Sequence, residues 1–391
     1  MTEKSEALKK HYEWQGKIEV ISRATVNNRA DLALAYTPGV ADACLEIEKN
    51  PEEAYKLTRK NHMVAVITNG TAVLGLGDIG PEAAMPVMEG KAVLFKEFAD
   101  VDAFPLNIQA KDVDTVVETI KQIASSFGAI NLEDIAAPEC FEIERRLINE
   151  LDIPVFHDDQ HGTAIVVGAA LINSFRLFDD REIEESKIIV NGAGAAGIAI
   201  AKHLSSMGAK KILLVDKEGI IHSDYPGITS EQERVLSITN SEDEKGSLQD
   251  ALKDADVFIG VSAPNILTKE DIQLMKEDPI VFAMANPIPE IMPDLAMEAG
   301  VAVMGTGRSD FPNQINNVSA FPGIFKGALE AKATEINEAM RLAASYGIAS
   351  LVSDEELNSE YIIPDPFDER IVPAVSKAVK DEAIKSNLVR G

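Results

Sequence analysis

Residues 187–216 limit the fold of this chain more than any other stretch. KIIVNGAG (187–194) reads as a buried strand entering a glycine turn, AAGIAIAKHLSSMG (195–208) as a helix, and KKILLVD (210–216) as a second strand. Strand, helix and strand in that order make a parallel crossover, so this half of the chain is expected to be a doubly wound parallel sheet. Gly192, Gly194 and Gly197 form G-x-G-x-x-G in the turn. The first glycine permits a tight turn, the second lets a pyrophosphate approach the backbone, and the third lets helix and strand pack closely. The N–H groups that open the helix, around Ala195 and Ala196, and the positive end of its dipole then face the phosphates. Asp216 follows Gly197 by 19 positions, where it can accept from a ribose 2′-hydroxyl and repel a 2′-phosphate. NAD is therefore favoured over NADP, with Lys217 beside it partly offsetting the repulsion. A glycine turn that served packing alone would not need the acid at this distance.

The alternation extends in both directions. ADVFIGVS (255–262) and PIVFAMANP (279–287) read as two further strands of the same sheet, and a long helix is expected over 325–345. Upstream, MVAVITNG (63–70), TAVLGLGD (71–78) and VDAFPLNIQA (101–110) look like buried strands closed by turn residues. A helix is expected over 113–128, followed by apolar segments at 131–138 and 153–163 and another helix from about 161. The expectation is two α/β domains, 1–160 and 161–391, with the Rossmann-type dinucleotide site in the second.

Charge excludes one class of partner. The chain carries 37 Lys plus Arg against 64 Asp plus Glu, a formal net charge of −27, whereas nucleic-acid binding depends on cationic contacts to phosphate. An anionic ligand would have to be drawn by local cations or a bound metal, because the overall field repels it. No apolar run approaches the roughly 20 residues needed to cross a bilayer, and the first twenty residues lack the apolar core of a signal peptide. Two cysteines, Cys44 and Cys140, are too few for a disulfide framework. A cytoplasmic protein without membrane attachment is expected.

Two acidic pairs follow apolar segments, Glu133-Asp134 and Asp158-Asp159. Mg²⁺ and Mn²⁺ take oxygen ligands, commonly a few carboxylates with substrate and water. Carboxylates at strand ends would face the crevice where open α/β sheets bind ligands. Solvated loop charge and helix capping remain the plainer alternatives for such pairs. His157 and His161 flank the second pair, but without thiolates a structural role is expected for both, as for Cys140 as a small buried residue.

In order along the chain, LAYTPGVA (34–41), LGLGDIG (74–80), GKAVLFKEFADVDAFP (90–105), NLEDIAAPECFEIE (131–144), PVFHDDQHGTA (154–164), ANPIPE (285–290) and NNVSAFPG (316–323) resemble the motifs of the malic enzyme family in its short bacterial form. The resemblance runs from about residue 15 to about residue 385. It implies oxidative decarboxylation of L-malate to pyruvate and CO₂ with reduction of NAD or NADP, with decarboxylation of oxaloacetate as an accompanying activity. Position by position, it implies Tyr36 as proton donor, Lys91 as proton acceptor, and Glu133, Asp134 and Asp159 as ligands of Mg²⁺ or Mn²⁺. Asn286 would contact substrate and nicotinamide, and Asn316 and Asn317 would lie near the substrate carboxylate. The resemblance also implies a homodimer, with residues 1–20 helping to form it. Longer eukaryotic members look to carry an arginine for the substrate carboxylate where this chain has Ala72.

These parts imply a sequence of steps. Malate would chelate the metal through its C2 hydroxyl and C1 carboxylate, lose a proton and a hydride to give oxaloacetate, and lose CO₂ to give enolpyruvate, which is then protonated at C3. Lys91 can act as the base only if its pKa falls well below about 10.4. A dehydrogenase that stops at the keto acid would not need the carboxylates. A malolactic enzyme is expected to be considerably longer, and a silent NAD-binding protein would not need Tyr36 and Lys91.

Overall fold

The apolar runs of the first half assemble into one parallel sheet. Its strands are Met63–Thr68 (β1), Asp102–Asn107 (β2), Ala129–Leu132 (β3) and Val155–His157 (β4), in the order β2-β1-β3-β4. β3 and β4 are buried throughout and β1 from its second residue, as strands covered on both faces must be. The structure, a computed structural model, describes residues 5–73 and 75–390. Residues 1–4 of the segment expected to aid dimer formation, and Leu74 of the run 71–78, lie outside them.

The second sheet has six strands in the order β10-β9-β8-β5-β6-β7. These are Lys187–Asn191 (β5), Lys211–Asp216 (β6), Gly219–Ile220 (β7), Val257–Gly260 (β8), Ile280–Ala283 (β9) and Val303–Thr306 (β10). All pair in parallel except the short β7, which runs antiparallel to β6. The order reverses beside β5, which lies between β6 and β8, and the glycine turn follows that strand. Ligands of doubly wound sheets bind at this reversal, past the carboxyl ends of the strands.

Three expectations need correction. The described residues of 71–78 form no strand: Gly75 and Gly77 both take φ of +73°, and an isolated Val73–Gly77 bridge closes a tight loop. Glycine adopts that backbone without a Cβ penalty, so the loop overrides the apolar side chains. The helix expected from 161 begins at Asp158 and ends at Phe175. Asp158 and Asp159 thus occupy its first turn, where the helix dipole favours carboxylates. The single long helix expected over 325–345 is two, Phe321–Ala331 and Glu338–Ala349. Lys332 ends the first in a left-handed cap at φ +50°, and the Asn337 side chain starts the second by accepting from the Met340 N–H.

Two features join the halves. The Asp158–Phe175 helix starts at the end of β4 and runs beside the Ala195–Ser206 and Glu338–Ala349 helices. Asn173 on it donates to the carbonyls of Ala349 and Ile362. Phe95, on the Gly80–Ala99 helix, meets Phe321 and Phe325 edge-to-face at centroid distances of 4.8 and 5.2 Å. By contrast, the helices Glu6–Trp14, Arg29–Ala35 and Val40–Lys49 bury no residue at all. Val20, Ile21, Leu34 and Tyr36 are each at least two-thirds exposed. No helix among the described residues is long and apolar enough to cross a membrane.

Phe95→Ala should lower unfolding stability by about 3–5 kcal/mol, the scale for a fully buried aromatic. Chemical denaturation measures this; a loss below about 1 kcal/mol would mean that the aromatic cluster is not where the halves are joined.

Candidate active site

β3 and β4 are neighbours, so the acids that follow them converge. Glu133 and Asp134 come directly after β3, and Asp158 and Asp159 directly after β4. One oxygen from each of Glu133, Asp134 and Asp159 lies within 4.8 Å of the others. The Asp134 N–H donates to Asp159 Oδ2 at 2.8 Å, and Asn131 Nδ2 donates to Glu133 Oε2 at 2.8 Å. Asp134 itself sits at φ +53°, a conformation Asp tolerates better than most residues. From the Gly80–Ala99 helix, Lys91 Nζ reaches Glu133 Oε1 at 2.8 Å and Asp158 Oδ2 at 2.6 Å. Asn317 Nδ2 donates to the same Asp158 oxygen at 2.5 Å. Lys91 also lies 4.2 Å above the Phe321 ring, a favourable cation–π placement.

One lysine does not balance four carboxylates. Burial, then the charges of Asp159 and Glu133, push the Asp134 carboxyl up to about 8. Burial dominates for Asp158 and Asp159 as well, pushed to about 7 and about 6 against the pull of Lys91, and Glu133 is raised for the same reason. Asp134 Oδ2 and Asp158 Oδ1 are buried with no hydrogen-bond partner among the described residues. Converging oxygen donors, excess negative charge and an unsatisfied buried oxygen suit a hard divalent cation. Lys91 departs from the expectation for a base. Burial acts to lower its pKa, but Asp158 and Glu133 outweigh burial and raise it. Whenever those two carboxylates are ionised, they hold the proton on the ammonium.

The remaining candidates divide. Tyr36 ends the Arg29–Ala35 helix, is 67% exposed, and makes no side-chain hydrogen bond among the described residues. Lys91 and the carboxylates are gathered without it. Asn317 joins the group through Asp158, while the Asn316 side chain caps the next turn by accepting from the Val318 N–H. Ala72 donates its N–H to the Asp134 carbonyl and carries no charge towards the site.

At the second sheet, Gly192 takes φ +115°, and a Cβ there would press on the Val261 carbonyl. A Cβ on Gly197 would strike the Gly192 carbonyl, whereas Gly194 opens into free space at the start of the Ala195–Ser206 helix. Gly192 is thus required by the turn and Gly197 by close packing, while Gly194 leaves the start of the helix open. Asp216 ends β6 and accepts from the Lys217 N–H at 2.8 Å, with Lys217 itself exposed. Asn286 is exposed after β9, and its Nδ2 would be met by a Cβ on Gly307.

Sequence reasoning left three residues out of the site. Asp158 was visible as half of an acidic pair, but only the fold puts it on Lys91. Asn131 looks like an ordinary strand residue until β3 is seen to end in Glu133. Glu290, fully buried in ANPIPE, accepts from the Ser262 and Ala285 N–H groups at 3.0 Å each and so ties together the loops after β8 and β9.

Residues 15–148 match the family model described as the malic enzyme N-terminal domain, and residues 160–384 that of the malic enzyme NAD binding domain. The bifunctional malic/malolactic enzyme of Bacillus subtilis (strain 168) is 56% identical over 391 residues, covering 100% of this chain and 95% of that protein. The NAD-dependent malic enzyme of Geobacillus stearothermophilus is 56% identical over 375 residues, covering 96% and 78%. The crystal structure of an NAD-dependent malic enzyme from Thermotoga maritima superposes with a TM-score of 0.92 at 47% identity, covering 96% of this chain and 99% of that one. The Bacillus relative corrects one expectation: a protein of nearly this length carries the malolactic name.

The raised carboxyls have a consequence for stability. In the folded protein they hold protons that the unfolded chain, with Asp near 3.8, has already released. Folding is thus favoured at the acid end, and stability is lost as pH rises towards the folded values. In EDTA, the melting temperature should fall between about pH 5 and 8, and Asp134→Asn should flatten the decline. Identical profiles for the two proteins would mean that the cluster is not charge-strained.

Proposed function

The chain belongs to the malic enzyme family, and on that premise we propose that it oxidises L-malate to pyruvate and CO₂ with reduction of NAD, at a divalent cation held by Glu133, Asp134 and Asp159. The observation that carries this reading is the convergence of those three carboxylates beside a buried lysine. Mg²⁺ and Mn²⁺ both suit an all-oxygen site. The proposed division of labour gives residues 1–160 the substrate and metal, and residues 161–391 the nucleotide.

A divalent cation bound there supplies Lewis acidity, lowering the pKa of the malate hydroxyl and spreading the charge of the enolate. A cation on Glu133 would weaken one of the two attractions that hold the Lys91 proton, that of Asp158 remaining, and burial acts to lower its pKa. Lys91 takes the C2 hydroxyl proton as hydride leaves C2 for the nicotinamide, which gives oxaloacetate. Release of the C4 carboxylate as CO₂ leaves enolpyruvate, and Tyr36 protonates C3 to give pyruvate. Oxaloacetate supplied from solution would enter at the decarboxylation step. Asp158 and Asn317 orient the lysine, while Asn286 and Asn316 serve substrate and nicotinamide. Gly192, Gly194, Ala195, Ala196 and Gly197 would hold the pyrophosphate, and Asp216 would favour NAD, with NADP as the weaker cofactor.

Tyr36 requires a partner in this scheme. It lies on a segment that buries none of its helical residues and exposes Val20, Ile21 and Leu34. A homodimer that covers this apolar surface would carry Tyr36 to the second copy's Lys91. Both cysteines are free, Cys44 exposed, which suits a reducing cytoplasm. The Bacillus relative favours a second reading, in which pyruvate is reduced to lactate by the same NADH before either leaves.

Purified protein with L-malate, NAD and Mn²⁺ should form NADH and pyruvate in equal amounts, both abolished by EDTA. Lactate without NADH would favour the malolactic reading, and NADH without pyruvate would rule out decarboxylation. Lys91→Ala and Tyr36→Phe should each lower kcat by at least about 100-fold. Unfolded and refolded together, the two inactive variants should recover roughly a quarter of wild-type activity, because half the dimers regain one intact site. No recovery, with mixed dimers demonstrably formed, would place both residues in one chain's site.

A further inference from the structure

The three proposed ligands do not come from one rigid element. Glu133 and Asp134 follow β3 of the first sheet. Asp159 belongs to the Asp158–Phe175 helix, whose length packs on helices of the other half. Between the ligands themselves, the hydrogen bond from the Asp134 N–H to Asp159 Oδ2 is the direct link. Helix N-termini fray readily, because their first amides lack intrahelical partners. His157 at the end of β4 pairs with Leu132, and Asp158 bonds Lys91, so the turn is anchored before Asp159, and a contact beyond Asp159 would hold it from the other side.

Glu144 is placed to do so. It lies on the Glu139–Glu150 helix of the first half and is 7% exposed. Its Oε1 accepts from the His157 N–H at 2.9 Å and its Oε2 from Gln160 Nε2 at 3.2 Å. His161 Nε2 meets both oxygens, at 2.9 and 3.0 Å. One carboxylate therefore grips residues 157, 160 and 161, bracketing Asp158 and Asp159 without touching either. His161 in turn lines a cavity of about 270 Å³ between the halves, with Lys202, His203 and Arg341 on its far wall. The clamp thus sits at the joint between the two halves.

We propose that Glu144 is a positioning residue that closes the divalent-cation site by fixing Asp159 against Glu133 and Asp134, an inference that rests on the metal reading above. A carboxylate is required because all three groups it holds are donors in the folded geometry. An amide keeps one acceptor oxygen but turns an NH₂ towards Gln160 or His161. Glu144→Gln should therefore loosen the clamp, and Glu144→Ala should release it.

The test compares two affinities in the full-length protein: Mn²⁺, from the electron paramagnetic resonance signal of the free ion, and NAD, by calorimetry. Mn²⁺ affinity should fall roughly 10–100-fold in Glu144→Ala and by less in Glu144→Gln, while NAD affinity stays within about twofold. Such a split is not what general loosening of the fold produces. Unchanged Mn²⁺ affinity in Glu144→Gln, with affinity lost in Asp159→Asn, would overturn the positioning role and leave the metal reading standing. Parallel losses of Mn²⁺ and NAD affinity in Glu144→Gln would overturn it also, as the mark of a merely structural residue. Unaltered Mn²⁺ binding in Asp159→Asn would remove the metal reading itself, and the inference with it.

Discussion

Four buried or half-buried carboxylates face one lysine at the ends of β3 and β4, and this imbalance explains the local structure around it. A protein interior does not hold uncompensated charge cheaply, so each group must be paired, protonated or bound to a cation. Lys91 compensates two of the acids, Asn317 shares its oxygen on Asp158, and Asn131 and the Asp134 N–H satisfy further oxygens. What remains is a surplus of acidic oxygens aimed at one point. That surplus also answers the difficulty raised by the net charge of −27. A dicarboxylate would be attracted by a local cation against the field of the whole molecule.

The fold delivers this arrangement through two sheets of mainly parallel strands, joined by a shared helix and the Phe95 aromatic cluster. Parallel strands put their carboxyl ends on the same edge, so residues far apart in sequence become neighbours there. The first sheet brings Glu133, Asp134 and Asp158 to its edge, and the second presents the glycine turn at its order reversal. The Asp158–Phe175 helix links them, with Asp158 and Asp159 at one end and the packing of the second half along its length.

Much of this was legible in the sequence where local chemistry decides the outcome. The unit at 187–216 could be read residue by residue, because turn, approach and packing each demand glycine at one position. The strands β1, β2, β5, β6, β8 and β9 were legible as apolar runs. What escaped depended on backbone or on distant partners. Apolar side chains at 71–78 concealed a loop set by Gly75 and Gly77. Helical periodicity ran through Lys332, whose left-handed cap divides two helices. Nor could spacing reveal that Asp158 binds Lys91, 67 positions away, or that Glu144 grips residues 157, 160 and 161. The roles of Tyr36 and Lys91 rested on family resemblance, since a tyrosine near a Pro-Gly turn and a lysine in a helix have no chemistry of their own to declare.

On the proposed reading, a divalent cation would displace the protons that the carboxylate cluster holds. Calorimetric titration of Mn²⁺ into metal-free protein near pH 6.5, in buffers of different ionisation enthalpy, measures both binding and proton release. One Mn²⁺ per chain with net release of protons to the buffer is the predicted result. Saturable binding without proton release, or no binding at all, would rule that exchange out.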